Sequence, residues 1–267
     1  MTKVLKLADM ILIVGDHGKL RDKMLREVMG KLGANTHLAV AMSPVQSTRK
    51  LLREFIPDSL VYNQYVEDEI AKVLRIQDLK TNQREVAAPH RALVVLVDCG
   101  IPDRPTLRIL SMNGRCFYIR LLVCCSASDL MLSQAPASIL SQVDNVFCFK
   151  QRKTPSAVEF LYKRLLRIFK TQCDLEAALD ATRRDCVLGV DNTTVNGDFF
   201  EHEIGKRQEP KLIGCGDLKM LQKQLLVKKT KKRNMIGDTS GILRDICNIA
   251  VLYDDELLLD EYLSSVS

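Results

Sequence analysis

Short apolar runs alternate with amphipathic stretches over roughly the first two thirds of the chain. Met10 to Val14 is an uninterrupted apolar run ending at Gly15, the pattern of a strand buried on both faces. Residues 19–31 follow with Met24, Leu25, Val28 and Met29 at helical spacing, and Gly33 supplies a stop. Residues 37–43 then read as a strand, 46–56 as a helix stopped by Pro57, and 60–62 as a brief strand. A charged amphipathic helix over 66–77 carries Ile70, Val73, Leu74 and Ile76, and the polar stretch 79–91 with Pro89 reads as a loop. The most apolar segment, Ala92 to Val97, ends on Asp98. Beyond it the pattern predicts a helix at 105–112, strands at 117–125 and 145–149, a helix at 155–171 with Pro155 in its first turn, and a strand at 186–190.

Strands that alternate with helices imply an α/β fold. Residues 10–14, 37–43, 92–98, 117–125 and 145–149 are expected to form one mainly parallel sheet flanked by helices, with Gly15 and Asp98 at the same C-terminal edge. The tail differs. Residues 205–240 are rich in Lys and Gly and lack clear periodicity, and 241–264 carry a partial helical pattern. The expected organisation is a core over 1–193 and an appendage over 194–267, with no internal repeat.

Composition adds limits. Hydrophobic residues make up 46% and charged residues 27% of the 267, the balance of a globular chain able to bury a sizeable core. The N-terminal apolar stretch is interrupted by Lys6 and Asp9, which makes a poor signal peptide, and no run approaches the length of a membrane span. Nine cysteines show no C-x-x-C spacing, and several lie inside apolar runs such as Val123-Cys124-Cys125. They read as small buried hydrophobes in a reducing compartment, not as a zinc site. The net charge of +6 permits an acidic partner without demanding one.

Three constellations bear on chemistry. The first is the strand–turn–helix at residues 10–30, the arrangement by which a phosphate loop presents backbone N–H groups and a helix N-terminus to an anion. The full pattern is G-x-x-x-x-G-K-[ST]. Counted from Gly15, the second glycine falls on Leu20, the lysine on Arg21 and the hydroxyl residue on Asp22. A compressed loop would use Gly18 and Lys19 instead, and from this segment alone an ordinary strand-to-helix turn is the favoured reading. The second is Leu93 to Asp98, a hydrophobic strand ending in an acid, which is how a carboxylate is placed on Mg²⁺. Many parallel strands end this way. The third is Lys228-Lys229-Thr230-Lys231-Lys232-Arg233, five cations in six residues. It reads as a phosphate-contacting nucleic-acid patch, an import-like signal or a solvated loop.

Taken together, the order of segments resembles a known family. Ile56-Pro57-Asp58-Ser59-Leu60-Val61-Tyr62, the helix with Arg75-Ile76-Gln77, the strand ending Asp98-Cys99, the Asn113-Gly114-Arg115 turn and Val143-Asp144-Asn145-Val146-Phe147 follow one another with similar spacing to the genome-packaging ATPases of large DNA viruses. Those are poxvirus-type members of the FtsK–HerA group of P-loop motors, and Cys186 to Asn192 resembles the family's late strand. The likeness spans roughly residues 8–192 and implies a RecA-like P-loop NTPase scaffold.

The chain departs from the family where the resemblance places chemistry. Of an Asp-Asp pair the first falls on Val97, leaving Asp98; a histidine falls on Cys116, the glutamine ending a strand on Ser126, an arginine on Leu140 and an asparagine on Gln142. The resemblance therefore implies a degenerate, non-hydrolysing relative acting in a virion or packaging complex. In it Asp98 and Ser126 are vestigial catalytic positions, and Gly15, Gly18, Lys19, Arg21 and Asp22 a degenerate phosphate loop. Two alternatives stay open: a divergent but active ATP-driven motor, with Lys19 or Arg21 on phosphate and Asp22 with Asp98 around Mg²⁺, and a basic DNA-binding virion protein using Lys228, Lys229, Lys231, Lys232 and Arg233. ATP and Mg²⁺ are expected as cofactors on condition that the loop still holds phosphate. Expected partners are viral DNA, packaging or capsid proteins, and further copies in a ring. The expected location is host cytoplasm, nucleus or virion.

Overall fold

The structure is a computed structural model and describes residues 9–33, 35–82, 91–133, 136–150, 155–166, 168–193 and 198–205. The expected run at 228–233 and most of the expected appendage lie outside these residues.

Five apolar runs form the parallel part of one sheet. They are β1 (Met10–Val14), β2 (Thr36–Met42), β4 (Arg91–Val97), β5 (Ile119–Cys125) and β6 (Asn145–Cys148). The brief β3 (Val61–Tyr62) joins them, and β7 (Cys186–Asp191) and β8 (Asp198–Glu203) complete eight strands in the order β3-β2-β4-β5-β1-β6-β7-β8. Neighbours from β3 to β6 run parallel, whereas β6–β7 and β7–β8 are antiparallel. Every residue of β1 and β5 is buried, as continuous apolar runs at the centre of a covered sheet require.

The helices are α1 (Lys19–Gly33), α2 (Gln46–Leu52), α3 (Glu67–Asn82), α4 (Pro105–Asn113), α5 (Ala127–Leu132), α6 (Ala137–Leu140), α7 (Pro155–Arg164) and α8 (Gln172–Ala181). The chain moves toward the β3 edge through α1 and α2 and back through α3 to α6. Right-handed crossovers then place these two groups on opposite faces. Packing of α1 on α2, α3 on α4 and α4 on α6 agrees.

Some predicted boundaries shift for local reasons. The helix expected over 46–56 ends at Leu52, and Phe55 and Ile56 turn inward with their N–H groups on Leu52 O. The helix expected over 66–77 runs on to Asn82. The one expected over 155–171 stops at Arg164, and Thr171 opens α8 through a capping box with Asp174. The sheet also continues past residue 193 into β8. There the buried His202 Nε2 meets Glu27 Oε1 at 3.1 Å, and Gly205 N donates to Glu27 Oε2 at 3.0 Å. Burial alone would raise the Glu27 pKa, but hydrogen bonds from His202, Lys31 and Gly205 bring it down to about 2.

Candidate functional site

Parallel strands bring their C-terminal ends to one edge, and the loops leaving that edge hold the residues singled out by sequence. β1 leaves Val14 into Gly15-Asp16-His17-Gly18, and α1 begins at Lys19. Gly15 continues the ladder by donating to Cys125 O at 3.0 Å, while the neighbouring Phe149 donates to Val14 O. A Cβ on Gly15 would lie 2.6 Å from Phe149 Cδ2, so glycine is needed there for packing. Gly18 differs. Its surroundings are open, and its φ is not positive.

Asp98 stands one residue beyond β4, its N–H on Cys124 O at 2.8 Å and its φ at +56°. Aspartate tolerates this left-handed conformation better than most side chains. Gly15 and Asp98 thus share the C-terminal edge with β5 between their strands, as expected.

The two are joined by Arg21. From the first turn of α1 its Nη1 donates to Asp98 Oδ1 at 2.6 Å and its Nη2 to Asp98 Oδ2 at 2.9 Å, a bidentate pair. Nη1 also reaches Gly15 O at 3.3 Å. Nη2 lies 2.7 Å from His17 Nδ1, and because arginine only donates, that nitrogen accepts. His17 Nε2 in turn faces Ser47 Oγ at 3.4 Å. Arg21 is 2% exposed and the Asp98 side chain 13%. Burial by itself would lower the Arg21 pKa, but the hydrogen bond to Asp98 and the nearby negative groups raise it above its usual value.

Among the described residues no hydrogen bond joins Gly18, Lys19, Asp22 or Ser126 to this pair. Lys19 is exposed. Asp22 is half-buried and has a buried Oδ1 without a hydrogen-bond partner among the described residues. Ser126 caps α5: its Oγ accepts from Asp129 N at 3.0 Å and donates to Asp129 Oδ2 at 2.7 Å. Its hydroxyl is therefore engaged in ending a strand and starting a helix. His17 joins the site although sequence reasoning passed over it; the signal was its spacing of four from Arg21 across the helix start.

As arranged, these residues do not fit ATP with Mg²⁺. Both carboxylate oxygens of Asp98 are taken by the Arg21 guanidinium, and Asp22 next to Arg21 offers a carboxylate and not a hydroxyl.

Other polar residues quoted in the resemblance meet at the opposite edge. Asp144 accepts from Met10 N at 2.9 Å and pairs with Arg115, and Asn192 N donates to Asp144 O. Burial raises the Asp144 pKa, against the opposing pull of the Met10 N–H and Arg115. Gln77 donates to Phe117 O and Tyr118 O, holding the turn before β5.

The sheet and its flanking helices define a P-loop NTPase fold, and comparison with solved structures bears this out. The genome packaging NTPase B204 from Sulfolobus turreted icosahedral virus 2, in complex with AMPPCP, superposes with a TM-score of 0.51 at 12% identity, over 76% of this chain and 98% of that one. Its complex with sulfate gives 0.50 at 12% identity, over 76% and 97%. In sequence, an uncharacterized protein, 088R, of Invertebrate iridescent virus 3 is 24% identical over 193 residues, 71% of each chain. No family model matches the chain. Among the described residues no helix is long and apolar enough to cross a membrane.

Proposed function

We propose that this chain is a degenerate, non-hydrolysing relative of the viral packaging ATPases that serves as a component of a virion or packaging complex. One observation carries the reading: the bidentate Arg21–Asp98 pair. A carboxylate on this strand end can serve a metal only while its oxygens are free. Here a buried arginine neutralises both, and freeing either group would leave a desolvated charge behind. The fold shared with a packaging NTPase and the iridescent-virus relative support the viral setting. Viral DNA, capsid or packaging proteins and further copies of the chain are the partners this reading names, and the cations at 228–233 its candidate DNA contacts.

The test is steady-state phosphate release from Mg²⁺–ATP by the full chain beside Asp98→Ala. The expected result is no Mg²⁺-dependent release in either protein. Turnover that is present in the parent and lost in Asp98→Ala overturns the proposal and establishes the divergent motor instead.

A further inference from the structure

Arg120 is the second residue of β5, at the edge of the sheet away from Gly15. It is 9% exposed, yet among the described residues its guanidinium makes no hydrogen bond, and its buried Nε has no partner. Its ion pair is a loose one, Nε to Asp9 Oδ1 at 3.8 Å. Asp9 is shared: Arg91 Nη1 approaches the same oxygen at 3.4 Å. Strand register explains the grouping. Met10 pairs with Leu121 and Leu93 with Arg120, so Asp9 stands beside Arg120, and Arg91 lies two residues before Leu93 on the same face.

Charges here do not balance. Among the described residues the acids here are Asp9 and Asp144, and Asp144 is already engaged by Arg115 and Met10 N. That leaves Arg91 and Arg120 on one carboxylate. Burial first, and then the repulsion of Arg91, lower the Arg120 pKa. An arginine cannot escape this cost by losing its proton at any ordinary pH. A buried charge of this kind calls for a second counter-ion with hydrogen-bond acceptors. A planar guanidinium with a second one nearby matches two oxygens of one headgroup.

We propose that the N-terminal edge of β1, β4 and β5 binds an oxyanion headgroup, phosphate or carboxylate, held by Arg120 and Arg91. The site lies roughly 16 Å from the Gly15 turn, by the rise of β1, and does not depend on how that turn is read.

The experiment follows arginine Nε–Hε resonances in the ¹⁵N-arginine-labelled full chain, with Arg120 assigned through Arg120→Lys. Inorganic phosphate is titrated first and acetate second, each against chloride at constant ionic strength. Arg120 and Arg91 should shift together and saturate in phosphate, with Arg21 unmoved, and Arg91→Met should weaken the apparent affinity by about tenfold. Saturation in acetate as well assigns the site to oxyanions generally, and saturation in phosphate alone assigns it to phosphate headgroups. An Arg120 resonance that stays still, drifts without saturating or responds equally in Arg91→Met overturns the proposal and leaves Asp9 as the counter-ion among the described residues.

Discussion

The two edges of the parallel sheet treat their polar residues in opposite ways. At the C-terminal edge Arg21 bonds to both Asp98 and His17, and its guanidinium is used in full apart from Nε. At the N-terminal edge Asp144 fastens the start of β1 and pairs with Arg115, but Arg120 remains without a hydrogen bond among the described residues. The residues quoted for the family resemblance are divided between these edges. Arg115 and Asp144 meet where the strands begin and tie turns to strands. Gly15, Arg21 and Asp98 meet where they end. A segment can therefore match a family's order because the scaffold needs it, and matching segments do not by themselves make a site.

The largest expected effect is at the C-terminal edge. Arg21→Ala strands the Asp98 carboxylate in a desolvated position and should cost about 3–5 kcal/mol in urea unfolding. The double variant Arg21→Met with Asp98→Leu should recover most of that loss, because a buried pair is often no better than well-packed apolar groups. A cost below about 1 kcal/mol for Arg21→Ala would place the pair among solvent-screened contacts and dissolve the contrast between the edges.

At the N-terminal edge, Asp144→Ala leaves the Met10 N–H without its acceptor and should cost about 1–3 kcal/mol. Arg115→Ala, removing an exposed partner, should cost about 1 kcal/mol or less. Equal losses in the two variants would mean that Asp144 matters through Arg115 and not through the strand start. Both are read from chemical denaturation at unchanged m-value.

How much of this was legible follows from distance along the chain. β1 and β4 declared themselves because fully buried strands are unbroken apolar runs, a local signal. The starts of α5 and α8 did not, since their capping boxes close on Asp129 and Asp174, not on the Glu or Gln of the usual signature. β8 hid because Asp198 to Glu203 does not alternate, and its buried His202 is satisfied by Glu27, 175 residues earlier. The site was half visible. Arg21 and Asp98 were each singled out, but their pairing across 77 residues needed the sheet order to bring them together. Arg120 looked like one more residue in an apolar strand, because its lack of a hydrogen bond among the described residues is a property of packing.

A smaller effect is expected at Ser126. Ser126→Ala removes the N-cap of α5 and should cost about 1 kcal/mol. The same variant should leave any affinity for nucleotide unmoved, as measured by fluorescence titration with a labelled analogue. A change in affinity without a change in stability would return Ser126 to the chemistry of the C-terminal edge.

The smallest effect separates the two glycines of the turn. Gly15 is held against Phe149, but a Cβ on Gly18 would meet nothing nearer than Asp16 O at 4.0 Å. Gly18 O accepts from Asp22 N, which puts Gly18 at the N-cap of α1. Two terms then oppose each other in Gly18→Ala. Restricting the unfolded chain stabilises by about 0.4–1 kcal/mol where the backbone is compatible. Alanine is a poorer N-cap than glycine by a similar amount. The net change should lie within about 0.5 kcal/mol of zero, and Gly18→Ser, which can cap, should come out slightly stabilising. A turn that cradles phosphate needs close backbone approach and would not accept either side chain without losing its ligand. Phosphate or nucleotide affinity that is measurable in the parent and abolished by Gly18→Ala at unchanged stability would show that the turn still works as an anion cradle. The C-terminal edge would then be an open site, not a closed one.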